Sequence, residues 1–489
     1  LTQLVWFRTD LRSRDNPALW HACKHIEEGV VGVVFVTRQQ WLQHGLGERK
    51  IQLMENTMLA LKTELESLNI PLLILTANTF ADCNQILQRI IIQLNIRSVA
   101  FNIEYEVNER RRDIEFGRWC REQEISLYKF HDQCVVPPGE VRTKQDLPFK
   151  VFTPFKRAWI QQAESVIAAP LPRPEQRDQK IQSALTDLIK AQSGLLLSAP
   201  PIKAVADPLW PATEDEAHLR LNRFAEERGC AYKQLRDFPA EDATSRLSVY
   251  LSLGLISVRQ CLHVALDHNN GRFTGGSPGF DSWISELIWR EFYRHLLVAF
   301  PQLCKHKAFK PDTEQVPWRN SEADFKAWCE GRTGYPVVDA AQKQLIAEGW
   351  MHNRLRMISA MFLTKHLLID WRKGEAFFNQ WLLDADLASN NGGWQWSAST
   401  GADGVPYFRI FNPTTQSQRF DASGDFIARY IPELINLPGA SRHQPDNLQR
   451  QRCGYPPPLV EHKFARQRAL DAFKQTLTTA NAGDEHEEQ

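Results

Sequence analysis

The 489-residue sequence predicts two domains of different class: an α/β domain on a doubly wound parallel sheet, then an all-α domain. Three observations predict this. Over roughly the first 130 residues, short apolar runs alternate with helix-length amphipathic stretches, as in strand–helix–strand units. A proline-rich stretch then breaks the pattern. From about Glu214 onward the apolar spacing is helical almost throughout.

The apolar runs Leu4–Phe7, Val30–Val36, Pro71–Leu75, Val99–Asn102 and Leu127–Phe130 are the expected strands. Several are rich in β-branched residues, as strands buried on both faces require. A helix should begin at Asp15-Asn16-Pro17, where a capping side chain precedes proline at the first helical position. Right-handed crossovers then give a parallel sheet whose ligands sit beyond the carboxyl ends of the strands. No G-x-G-x-x-G follows the first strand and no phosphate-binding G-x-x-x-x-G-K-[ST] occurs, so the sheet is Rossmann-like without the usual nucleotide grip. Residues 1–130 form this domain. Prolines from Pro137 to Pro201 mark residues 131–205 as a linker wrapping over the surface with a few helical turns. Residues 206–475 form the all-α domain, and the polar, acidic residues 476–489 are expected to be disordered.

Lys and Arg number 58 and Asp and Glu 58, which excludes a wholesale basic protein but leaves room for a local basic groove. Nine scattered cysteines without a C-x-x-C pair indicate neither a disulfide framework nor a metal site, and suit a reducing cytoplasm. No apolar run approaches the ~18–20 residues that span a bilayer. A soluble, cytoplasmic monomer is expected. Of 15 tryptophans, nine fall between Trp283 and Trp396, a density that calls for stacking or interface roles besides core packing.

Four segments could carry chemistry. Asp384 to Trp396 packs two acids, Asn390-Asn391, Gly392-Gly393 and two tryptophans into 13 residues, poor core and a good ligand-facing loop. In Trp283 to Arg294, positions 283, 286, 290 and 294 share a helical face, with Glu286 flanked by Trp283 and Trp289. In Gly349 to Met357, Asn353 and Met357 lie at i, i+4 while Arg354 and Arg356 fan out as bidentate anion ligands. Thr244-Ser245-Arg246-Leu247-Ser248 places hydroxyls before an apolar helix, where free N–H groups favour an anion. Lys305, His306, Lys307, Lys310, Arg354, Arg356, Lys365, Arg372 and Arg409 would track phosphates if folding brought them to one face; a solvated charged surface is the alternative.

These segments resemble the DNA photolyase/cryptochrome family. The resemblance rests on Val5–Arg12 (VWFRTDLR), Gly349–Met357 (GWMHNRLRM), Asn391–Gly401 (NGGWQWSASTG) and Tyr407–Pro413 (YFRIFNP), and runs from Leu4 to about Ala465. The chain is most similar to the bacterial class I cyclobutane pyrimidine dimer photolyases with a folate antenna. The resemblance implies one reduced FAD per chain in the all-α domain and UV-damaged DNA as partner. Light-driven electron transfer would split a flipped-out pyrimidine dimer. Cofactor contacts would come from Tyr232, Thr244, Ser245, Arg246, Leu247, Ser248, Trp283, Glu286, Arg290, Asn353, Arg356, Asp384, Asp386 and Asn390. Glu286, Asn353, Met357 and Asn390 would act at the reaction centre, with Asn390 at the flavin N5, where signalling cryptochromes usually carry Asp or Cys. Trp394, Trp371 and Trp318 would relay electrons; Arg236, Trp289, Arg354, Trp396 and Gln416 would bind DNA. Asn108, Glu109, Cys304 and Lys305 would hold a 5,10-methenyltetrahydrofolate antenna. The alternative is a cryptochrome-type blue-light photoreceptor without repair activity.

Overall fold

The computed structural model describes residues 2–25, 28–191, 202–402 and 408–487, with side chains through residue 476. Tyr407 and residues 192–201 of the expected linker lie outside them. The five apolar runs are the five strands of one parallel sheet: β1 Thr2–Phe7, β2 Gly29–Val36, β3 Leu72–Thr76, β4 Ser98–Asn102 and β5 Ser126–Phe130, in the order β3-β2-β1-β4-β5. Alternate residues feed two cores. Leu4, Trp6, Val31, Val33 and Phe35 enter one, and Val5, Phe7, Val30, Val34 and Val36 the other. The direction of winding reverses between β1 and β4, the position at which such sheets open a crevice. The helix Pro17–Ala22 starts as its sequence dictates, the Asn16 side chain accepting from the Leu19 N–H at 3.1 Å.

Two compact units emerge, and they do not follow the sequence boundaries. The first comprises Leu1–Pro148, Lys156–Cys230 and Ser245–Ala299; the second comprises Phe149–Phe155, Ala231–Thr244 and Phe300–Gln489. The expected linker carries two full helices, Phe152–Val166 and Gln179–Ala191. The latter lays Leu185 and Ile189 into the core beside β2, because its apolar spacing gives it a face to bury. The first unit also takes in the helices Glu214–Glu227, Val258–His268 and Pro278–Ala299. Buried charge explains this. Arg12 donates to Asp132 at 2.6 Å, and Arg259 donates to Asp132 at 2.7 Å and to Asp15 at 3.0 Å. Glu214 accepts from the Ser13 and Arg14 backbone N–H groups at 2.9 Å each. Burial alone would raise the Asp132 carboxyl, but Arg12 and Arg259 outweigh it and hold Asp132 below the usual carboxylate range.

The second unit is helical. Its core gathers Trp328, Trp371, Trp394, Leu363 and Phe378 from the helices Glu322–Cys329, Trp371–Trp381 and Leu387–Ala398 and the turn at Phe362–His366. Gly374 has no side chain for a packing reason: a Cβ there would lie 2.1 Å from the Trp394 ring. The last helix, His462–Glu487, packs Ala472 and Phe473 beside Val316 and Leu368. Its helical backbone continues past Thr476, where composition predicts disorder, because the segment extends a helix already anchored by buried Ala465, Ala469 and Ala472. Among the described residues no helix is long and apolar enough to cross a membrane.

Removing one partner of a buried charge network leaves the others uncompensated, at a cost of about 3–5 kcal/mol. Asp132→Ala should therefore lower the thermal unfolding midpoint of the protein markedly; an unchanged midpoint would show that Arg12 and Arg259 do not depend on Asp132.

Candidate functional site

In the second unit, the helix Leu387–Ala398 forms where a loop is expected. Asp386 makes this possible by capping its start, accepting from the Ala388 N–H at 3.1 Å and the Ser389 hydroxyl at 2.7 Å. Asn390 donates its Nδ2 to the Glu375 carbonyl at 3.0 Å, and Asn391 donates to the Glu375 carboxylate at 2.9 Å. Trp394 lies edge-on to Phe378 and Trp328, with ring centroids 4.9 and 5.9 Å away, and its buried Nε1 has no protein partner. Trp371 shares this core, and half-buried Trp318 packs at its margin against Phe473.

Arg356 and Asp384 form a forked pair at 3.1 and 2.7 Å, and Arg356 Nε also donates to the Met351 carbonyl at 2.7 Å. The Asp384 side chain is buried, so this cation–carboxylate pair is shielded from water on the acid side. Nearby in sequence, exposed Asn353 turns its amide toward the Met357 sulfur at 3.9 Å, as the i, i+4 spacing predicts. Arg354 pairs with Asp237 at 2.8 Å and lies 4.4 Å over Phe420, while a buried Gln416 Oε1 lacks a protein partner. Arg236 lies over the buried Tyr232 ring, and Arg409 over half-buried Trp396. Thr244 is half-buried; Cys304 and exposed Lys305 sit on the turn Pro301–Lys305.

The first unit holds the rest. On the helix Pro278–Ala299, Trp283 is buried against Phe224, Glu286 and Trp289 are half-buried, and Arg290 donates to the Gln133 carbonyl at 2.6 Å. The Ser245–Ser248 hydroxyls do not cap the helix Ser248–Leu253: its cap position is Leu247 and no side chain closes it. Arg246 there takes a left-handed backbone, φ 52°. Exposed Asn108 and half-buried Glu109 stand on the first turn of the helix Val107–Glu122, directly past β4. Burial, reinforced by Glu106 and Glu104, pushes the Glu109 carboxyl well above the usual range.

Three features escape sequence reasoning. Past β1, Arg8 and Arg112 lie over Trp6 at 4.6 and 4.8 Å and pair with Asp113 and Glu104, a buried charge cluster within the sheet domain. Buried Cys134, Glu291 and His295 cluster closely enough to suggest metal ligands. Two of the three instead hold neighbouring groups in place: Glu291 accepts from the Val135 and Val136 N–H groups and from the Trp159 side chain, and His295 Nε2 meets the Val136 carbonyl. Third, the conjectured phosphate-tracking face does not draw on all the basic residues considered. Lys365 is fully buried, donating to the Ala398 carbonyl at 3.1 Å and the Ser399 hydroxyl at 2.8 Å. Arg372 pairs with Glu314 and Asp370.

Comparison with known proteins agrees with this architecture. The family model for DNA photolyase matches residues 3–187, and that for the FAD binding domain of DNA photolyase matches residues 283–475. The deoxyribodipyrimidine photo-lyase of Escherichia coli is 43% identical over 97% of this chain and 98% of its own. A class III photolyase from Agrobacterium tumefaciens superposes with a TM-score of 0.81 at 34% identity, covering 98% of both chains. An archaeal photolyase from Sulfolobus tokodaii, solved with two FAD molecules, gives 0.79 at 27% identity over 97% of this chain and 100% of that one. Similarity of this extent, carried through both the sheet and the helical region, places the chain in the DNA photolyase family.

Proposed function

We propose that the chain is a light-driven deoxyribodipyrimidine photo-lyase that restores the two pyrimidines of a cyclobutane dimer in UV-damaged DNA. One observation carries the reading: the helix Leu387–Ala398 brings Asn390 and a tryptophan with an orphaned buried N–H into a unit that also holds the Arg356–Asp384 pair. These residues fit FAD. Because Asn390 Nδ2 is committed to a carbonyl, its oxygen is the end left to accept from the flavin N5. Arg356 and Asp384 supply a fixed cation and anion for the ring's polar edge, and Tyr232, Thr244, Ser245, Arg246, Leu247 and Ser248 would contact the rest of the cofactor. When bound, reduced FAD supplies the excited electron that opens the cyclobutane ring and is returned, so the reaction has no net redox change.

The protein's part is recognition and positioning. A dimer stacks and pairs poorly, so extruding it from the duplex costs only a few kcal/mol. Trp289 and Trp396 would offer ring faces to extruded bases, while Glu286 and Asn353 would donate to or accept from their carbonyl edges, stabilising charge on the reduced dimer. Met357 would act beside Asn353, whose amide faces its sulfur one helical turn away. Arg236, Arg354 and Gln416 would contact the strand. Trp394, Trp371 and Trp318, graded from buried to half-buried in one core, would carry electrons inward when the flavin is oxidised.

For the antenna, the reading is methenyltetrahydrofolate at Asn108 and Glu109, with Cys304 and Lys305 assigned to the same ligand. Two features support it. Asn108 and Glu109 stand on the first turn of the helix that follows β4, at the carboxyl end of a strand where such sheets place ligands, and Glu109 is an acid whose raised pKa keeps it a hydrogen-bond donor toward a ring nitrogen.

Repair is tested on an oligonucleotide carrying one thymine dimer, incubated with FAD-loaded, pre-reduced protein in light and in darkness. Reversal in light alone is expected; bound flavin without light-dependent reversal would overturn the enzyme reading in favour of a photoreceptor. For the antenna, Glu109→Gln should retain folate absorption and Glu109→Ala should lose it. Folate should also dissociate as pH rises through the raised Glu109 pKa, because the neutral donor is lost. Retention by the alanine variant at every pH would contradict the assignment.

A further inference from the structure

We propose that His306 is a positioning residue for Asn390: lodged against Glu375, it fixes the asparagine pair that turns the Asn390 side-chain oxygen toward the flavin. The inference rests on the reading of Asn390 given above.

The contacts form a closed set. His306 has a left-handed backbone, φ 55°, uncommon for a residue with a side chain. Arg372 Nε secures its carbonyl at 2.7 Å, and its Nδ1 lies 2.8 Å from Glu375 Oε2. Glu375 is only 3% exposed, whereas the His306 side chain is half-exposed. The other Glu375 oxygen accepts from Asn391, and the Glu375 carbonyl accepts from Asn390. Both asparagines therefore hang on one residue, one by its carboxylate and one by its backbone. Asn391 in turn accepts from Gln395 at 3.0 Å, and Gln395 returns to the segment after His306 through the Lys307 carbonyl at 3.1 Å and the Phe309 N–H at 2.7 Å.

A buried carboxylate is stable only when its lone pairs are filled or its charge is matched. His306 does both for Glu375, from the solvent side. If the Glu375 carboxylate were released, Asn391 would lose its anchor and the helical turn that carries Asn390 would loosen, while the Glu375 carbonyl keeps its place in its own helix. A flipped amide would set its oxygen against the Glu375 carbonyl, two acceptors face to face.

The charged neighbours are few. Lys305, Lys307 and Lys310 lie on the same segment as His306; Glu375 and Arg372 lie on the helix Trp371–Trp381, with Asp370 capping it. Glu314 bonds Arg372 and the Ala308 N–H. The helix Leu387–Ala398 has no charged residue. The hydrogen bond to Glu375 raises His306 above its ordinary value of 6.5 against burial and Arg372. The cation therefore persists to higher pH, and the charge-assisted bond weakens as pH rises through the raised value.

The test is the reduction potential of the FAD-loaded protein, followed by spectroelectrochemistry across pH. It compares wild type, His306→Asn, His306→Lys, Asn390→Ser and the double variant His306→Asn with Asn390→Ser. Asparagine tolerates the left-handed backbone, lysine keeps a permanent cation, and neither opens the core. Wild type should show a step at the raised histidine pKa, beyond the slope of the flavin itself. The step should vanish in both His306 variants, with lysine following the low-pH limb and asparagine the high-pH limb. In the Asn390→Ser background, His306→Asn should produce no further shift. A step that survives His306→Asn overturns the proposal, as does an equal shift in the double variant, which would mean charge felt through space. If Asn390→Ser alone leaves the potential unchanged, the Asn390 reading itself fails, and the proposal with it.

Discussion

The helix Leu387–Ala398 cannot hold itself together, and much of the second unit is arranged to hold it. Asn390-Asn391-Gly392-Gly393 is among the poorest helix-forming runs in the chain; each glycine alone costs about 1 kcal/mol relative to alanine. Tertiary contacts replace propensity. Asp386 closes the first turn and Glu375 takes both asparagine amides. Lys365, buried between the rings of Phe408 and Phe473, donates to the Ala398 carbonyl at the far end. Trp394 fits against the bare backbone of Gly374. Held from behind and at both ends, the helix can devote its remaining polar groups to a ligand.

The same arrangement joins the two chemistries expected of the site. Trp394 faces the core that contains Trp371 and borders Trp318, while Asn390, one turn earlier, is oriented by hydrogen bonds alone. Packing fixes the tryptophans and polar contacts fix the asparagine. A substitution in the core should therefore disturb electron supply, and one in the Glu375 network should disturb the flavin's protonation. Arg356 and Asp384 add a charge pair whose acid is buried, so its field is less damped by solvent than that of a surface pair.

Much of this was legible in the sequence. All five strands appear as apolar runs: β2 and β4 are buried along their length and so are largely apolar, while β5, at the sheet edge, has no buried residue and shows only a short mixed run. Asn353 and Met357 meet as their spacing requires, and of the tryptophans crowded into 283–396, Trp328, Trp371 and Trp394 lie in the helical core with Trp318 and Trp381 packed against it. What was not legible depends on long-range partners. Nothing near Asp132 announces Arg12 or Arg259, so the division into units departs from the composition boundaries. The run at Asn390 looks like a loop because its stabilisers, Glu375 and Lys365, lie elsewhere in the chain. Glu375 and His306 carry no local motif, and Lys365 looks like a surface cation until the fold buries it.

The central claim is that this helix and the core behind it deliver electrons to a flavin held at Asn390. Light-driven reduction of oxidised FAD, compared between wild type and Trp318→Phe with an external electron donor present, tests it most directly. The account predicts that the substitution severely slows reduction while leaving repair by chemically pre-reduced protein intact. Reduction at the wild-type rate would contradict it, since electrons would then reach the flavin by a path that does not pass through Trp318.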